Sequence, residues 1–189
     1  RLDHPWEIRM TGTTVHANRQ PDGFDVVVAD SLLPASDADQ VWAHVTSPAG
    51  INAELAPLLR MRMPPDLTGS TLDEVPLNQR LGRAWVLFLG VLPVDFDDLR
   101  IIERGDRRFL ERSSTSSSRV WQHERAVSQE PGGVRVRDQV TFAVRGPLRP
   151  ARRIYLRVVT ALFRHRHRRL ARHAHGRRAV GRTRPVQPR

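Results

Sequence analysis

Residues 134–144 alternate with a period of two, and that alternation constrains the chain more than any other feature. The even positions are Val134, Val136, Asp138, Val140, Phe142 and Val144; the odd ones are Arg135, Arg137, Gln139, Thr141 and Ala143. Such a pattern marks a β-strand with its even face in a core. Asp138 then lies in the middle of an apolar face, where a lone carboxylate is costly and needs a partner. The preceding Glu130-Pro131-Gly132-Gly133 has Pro and Gly where a type II turn wants them. A hairpin closed by that turn sets Arg125 opposite Asp138, His123 opposite Val140 and Trp121 opposite Phe142. A turn centred near Ser117 brings Glu111 beside His123. The spacing thus predicts an inward polar group of Glu111, His123, Arg125 and Asp138 on an otherwise apolar wall, provided that no bulge shifts the register.

The rest of the chain supplies a sheet for this hairpin. A strand is predicted over 24–33, two short helices over 37–45 and from Pro48 towards Pro57, with Ser36 and Ser47 at their starts, and strands over 59–63, 81–91, 99–103, 109–113 and 119–127. After Pro150, Ile154, Tyr155, Val158, Val159, Leu162, Phe163, Arg166 and Leu170 recur at steps of three and four, so a long final helix is expected. This order gives an α+β fold, a curved antiparallel sheet of about seven strands wrapped on one C-terminal helix, which is the outline of a helix-grip domain. Residues 23–176 form that domain, residues 1–22 read as a loosely ordered lead-in, and residues 177–189 as a disordered basic tail.

The chain has 31 arginines and no lysine. Residues 1–144 hold 16 of them against all 20 acids, a net of −4, and residues 145–189 hold 15 with no acid. The basic character belongs to the last quarter. It reads as a solvated helix face and tail rather than a nucleic-acid or anionic-membrane patch, since the only aromatics there, Tyr155 and Phe163, fall on the apolar stripe. His165 and His167 lie on different sides of a helix, so no metal is expected, and no residue pattern calls for a cofactor. The absence of cysteine excludes a disulfide framework and cysteine catalysis. The longest uncharged apolar run, residues 84–94, falls short of the ~20 residues a membrane span needs and reads as a core strand. No transmembrane segment and a cytoplasmic location are expected.

Several stretches resemble one known family. These are Val41-Trp42, then Ser47-Pro48-Ala49-Gly50-Ile51-Asn52-Ala53-Glu54-Leu55-Ala56-Pro57, Leu92-Pro93-Val94-Asp95, Phe109-Leu110-Glu111-Arg112-Ser113, Trp121-Gln122-His123-Glu124-Arg125, and Phe163-Arg164-His165-Arg166-His167 with Leu170. Over residues 24–175 the chain resembles the SRPBCC superfamily, which includes START domains, birch-pollen-allergen-like and polyketide-cyclase-like proteins, and within it an uncharacterised bacterial branch. The resemblance implies the helix-grip fold with a cavity between sheet and helix, and no particular reaction. Three functions follow as expectations. The first is binding of a small apolar or amphipathic molecule, with Trp85, Trp121 and Phe142 as walls and His123 or Arg125 as the polar anchor. The second is a cyclase- or dehydratase-type enzyme using His123 with Glu111 or Asp138. The third is an adaptor docking through its arginine-rich C-terminus. The inward polar group also reads as an internal salt-bridge ladder that touches no ligand.

Overall fold

The computed structural model describes residues 12–34 and 36–181. The first two strands, β1 (Thr13–Arg19) and β2 (Asp25–Pro34), lead into two helices, α1 (Ala38–Thr46) and α2 (Pro48–Leu55). Then come β3 (Leu59–Arg62), β4 (Gly82–Phe88), β5 (Leu92–Leu99), β6 (Ile101–Gly105), β7 (Arg108–Ser113), β8 (Ser118–Glu130) and β9 (Gly133–Val144), and the chain closes with the long helix α3 (Arg152–Gly181). One six-stranded sheet has the order β1-β2-β9-β8-β7-β6, and a three-stranded one the order β3-β4-β5. The two join where the chain crosses from β5 to β6 at Arg100: there the Asp98 N–H donates to the Ser114 carbonyl, and Asp97 bridges Thr115. The fold is α+β and of the helix-grip type, its curved antiparallel surface closed by α3.

Local chemistry explains most boundaries. Asp37, not Ser36, caps α1: the Gln40 N–H donates to its carboxylate at 2.9 Å. Ser47 caps α2 by accepting from Gly50 N–H at 3.0 Å, with Pro48 in the first turn where its missing N–H costs nothing. Gly50 cannot carry a side chain, because a Cβ would fall 1.8 Å from the His44 carbonyl oxygen. In the β8–β9 turn Gly132 takes φ +93°, the left-handed value that the third position of a type II turn requires. The pairing follows: Arg125 lies opposite Asp138, His123 opposite Val140, Trp121 opposite Phe142 and Glu111 opposite His123.

Three expectations need correction. Residues 13–19, placed in the loose lead-in, form β1, an edge strand whose mostly exposed and polar side chains hide its period. The run 84–94 is no single core strand: it reverses at Leu89 and Gly90, both with positive φ, to make the β4–β5 hairpin. The described residues hold nine strands, six of them in the curved sheet. Finally α3 continues to Gly181, past the start of the expected tail, whose residues 182–189 lie outside the described residues.

The core sits between the six-stranded sheet and α3. Val27, Ala29, Val140 and Phe142 meet Val159 and Phe163; further along, Leu33, Val127, Val134 and Val136 meet Ala38, Val45 and Leu170. Each such large side chain, fully buried, contributes about 1.5–3 kcal/mol. Arg152 fastens the start of α3 to the β1–β2 turn, donating to both Asp25 oxygens and to the Gln20 and Phe24 carbonyls.

Candidate functional site: a cavity with a polar strip

A cavity of about 450 Å³ lies between the three-stranded sheet, the inner face of the large sheet, α2 and α3. Its walls are mostly apolar, among them Ile51 and Leu55 of α2, Met61 of β3, Val86 of β4, and Leu162 and Phe163 of α3. Val94 of β5 and Val158 of α3 line it too, yet each is more than half exposed, so they mark its mouth. Across this surface runs a strip of polar side chains, from Asp95, Ser117 and Tyr155 through Thr115, Asp97 and Glu111 to His123, Arg125 and Arg166.

Arg125 is the hub of the strip's inner half. Its five N–H groups all have acceptors: Nε and one terminal nitrogen donate to the two Asp138 oxygens, each at 2.7 Å, the terminal nitrogens donate to the two Glu54 oxygens, each at 2.9 Å, and one of them also reaches the Val45 carbonyl at 3.2 Å. Asp138 accepts in addition from His123 Nε2 at 2.7 Å and His167 Nε2 at 2.8 Å. Arg166 adds a second cation on Glu54, at 2.9 Å. His167 is wholly buried, and its Nδ1 is hydrogen-bonded to the Ser31 hydroxyl at 2.9 Å, which pins α3 to β2.

The electrostatics follow from these partners. Burial pushes the Asp138 carboxyl up, but Arg125 and the bonds from both histidines outweigh it and hold the group well below the usual carboxylate range. Glu54 is lowered in the same way, with burial overcome by Arg125 and Arg166. At His123 burial favours the neutral ring, yet Asp138 and the Glu111 carboxylate 3.7 Å from Nδ1 win, so its pKa is raised. Glu111 is lowered, burial being offset by His123. Asp97 goes the other way: burial and the neighbouring Glu111 both push it well above the ordinary value.

Of the residues expected to form a site, Glu111, Trp121, His123 and Arg125 line the cavity. Asp138 stands behind Arg125 with no exposed surface and is not part of the wall. Phe142 is likewise in the core, packed between the rings of Trp121 and Tyr155 at 5.9 and 5.2 Å. Trp85 is 42% exposed and lies against the Phe96 ring outside the cavity, because the outer face of β4 is apolar as well. Nor do the two proposed anchors have atoms to spare: Arg125 is saturated and both His123 nitrogens face carboxylates. Sequence reasoning passed over Glu54, Asp97 and His167. The last was within reach, since it lies four residues after Phe163 and three before Leu170, on the buried side of α3.

The architecture is shared with solved structures of very different sequence. A START superfamily protein from Mycobacterium smegmatis superposes with a TM-score of 0.52 at 9% identity, over 81% of this chain and 97% of the other. A protein from Chromobacterium violaceum gives 0.57 at 10% identity, over 79% and 96%, and one from Rhodobacter sphaeroides gives 0.53 at 15%, over 84% and 95%. These likenesses establish the START-like helix-grip fold. Residues 31–174 match the family described as "Domain of unknown function (DUF8410)", and the chain belongs to that family. No curated protein matches it.

Proposed function

We propose that the protein binds a small hydrophobic or amphipathic molecule in the cavity between the sheet and α3. The observation that carries this reading is the cavity itself. Its volume of about 450 Å³ lies within the roughly 300–1,000 Å³ of small-molecule pockets, its walls are mainly apolar, and it has a mouth at Val94 and Val158. The likeness to a START superfamily protein agrees with it. No helix among the described residues is long and apolar enough to cross a membrane. A cytoplasmic location belongs to the same proposal, and fractionation of cells producing the protein checks it.

The test is binding of Nile red, a neutral apolar fluorophore, to the wild type and to Leu162→Trp, which fills the cavity from α3. Saturable binding that weakens at least tenfold in a variant with unchanged circular dichroism is the expected result; equal binding by both proteins overturns the reading. The His123-based enzyme finds less support. A histidine with a carboxylate at each ring nitrogen, and a pKa raised by them, has no nitrogen free to take a proton from a substrate.

A further inference from the structure

Asp97 has no place in the salt-bridge network, and its surroundings are unusual. It is 6% exposed and lines the cavity, yet its Oδ1 has no hydrogen-bond donor among the described residues. The strip around it is acidic. Asp95 is two residues away on β5, where it accepts from the Ser116 N–H and the Ser117 hydroxyl. Glu111, across on β7, accepts from the Ser113 hydroxyl at 2.7 Å and faces His123 of β8 at 3.7 Å. The polar side chains that α3 brings to the cavity are the Tyr155 phenol, bonded to Ser117 and Ser118, and Arg166, bonded to Glu54, and β4 presents Ala84 as the pair of Asp97.

The charges explain why Asp97 is left over. Glu54, Asp138 and Glu111 are each paired with Arg125, Arg166 or a histidine, whereas no ion pair joins Asp97 to a cation among the described residues. An ionised Asp97 would be one buried negative charge too many, and a proton on it, shared with Glu111, removes that charge while the cavity is empty. The same spot is hostile to an anion. A ligand carboxylate would meet Asp95, Asp97 and Glu111, while Arg125 has no free N–H and Arg166 is turned to Glu54. A ligand cation reverses each of these terms. It supplies the donor that Oδ1 lacks, balances the Asp97 charge, and finds the aromatic side chains of Trp121 and Tyr155 in the same wall.

We propose that Asp97 is the cavity's recognition point for a basic nitrogen, and that the ligand is an otherwise apolar molecule carrying an amine. On binding, the ammonium N–H donates to the Asp97 carboxylate, the ammonium keeps its other protons, and a proton held between Asp97 and Glu111 passes to the buffer.

If the cavity takes a ligand at all, as proposed, decylamine, decanol and decanoate test the choice by displacing Nile red below their aggregation concentrations. Decylamine is expected to compete at a concentration at least tenfold below the other two, and Asp97→Asn to bring that preference under threefold while Nile red itself still binds. Decanoate or decanol binding as well as the amine, or an unchanged preference in Asp97→Asn, overturns the proposal and leaves the cavity reading standing. Failure of Nile red to bind the wild type removes both. Should Asp97→Asn not fold, wild type is compared with decyltrimethylammonium, a cation without an N–H: competition at least tenfold weaker than that of decylamine supports the proposal, and equal competition overturns it.

Discussion

The β8–β9 and β4–β5 hairpins face the same cavity with opposite chemistry. In β8–β9 the inward side chains include His123, Arg125 and Asp138, and the outward ones Glu124, Arg135 and Arg137. In β4–β5 the inward side chains include Val86, Asp95 and Asp97, while the outer face carries the paired Trp85 and Phe96 together with Phe88 and Leu92, of which Trp85, Phe88 and Leu92 are more than two-fifths exposed. The first hairpin has one register in which its buried charges find each other. The second has apolar side chains on both faces and a shifted pairing between Val86 and Leu87, so nothing in its pattern distinguishes inside from outside. Paired buried charges specify geometry in the first hairpin, and the second supplies apolar surface around the unpaired Asp97.

Substitutions should separate the two hairpins sharply. Arg125→Met removes five hydrogen bonds and leaves Asp138 and Glu54 without their shared cation, so a loss of about 3–5 kcal/mol is expected in urea denaturation. A loss under 1 kcal/mol would show that the network is dispensable for stability.

The pH profile comes next in size. Glu54, Glu111 and Asp138 have lowered pKa values, so their contribution is in place above the ordinary carboxylate range and is lost as pH falls through their folded values. Raised groups act in reverse. The Asp97 contribution is complete below its ordinary 3.8 and is lost as pH rises through its folded value; that of His123 is complete below 6.5 and is lost above it. Melting temperature should therefore climb out of acid and decline towards alkaline pH, and Asp97→Asn should flatten that decline. Parallel curves for the two proteins would contradict the assignment of the proton to Asp97.

Smallest of all is Val91→Ser at the β4–β5 tip, where a 79% exposed side chain is removed. Stability should stay within about 0.5 kcal/mol, with weaker retention on a hydrophobic column as the visible change. A larger loss would mean that the tip packs on something.

How much could be read beforehand follows the same division. The strict alternation of β9 and the Pro131-Gly132 turn made the Arg125–Asp138 and Glu111–His123 pairings legible, and the three- and four-residue steps of α3 made its buried stripe legible. Ile154 and Val158 fit that stripe by spacing, yet they are exposed, Val158 because it stands at the mouth of the cavity. Glu54 stayed hidden since it lies 71 residues from Arg125 on a helix whose period does not single it out. Asp97 was illegible for a different reason: its meaning depends on which neighbouring charges are already paired, and only the folded network settles that.

His167 and Ser31 are 136 residues apart, and with Glu54, Arg125 and Asp138 they close a ring of contacts between α2, β2, β8, β9 and α3. Such a ring opens only when several elements separate together, which makes it the slowest part of the molecule to breathe. The three-stranded sheet is fastened by bonds at its borders: Asp98 to Ser114, Asp95 to Ser116 and Ser117, and Met61 to Asn52 of α2. A guest molecule would come and go at the Val94–Val158 mouth, and its residence time would be set by how often these border bonds open together.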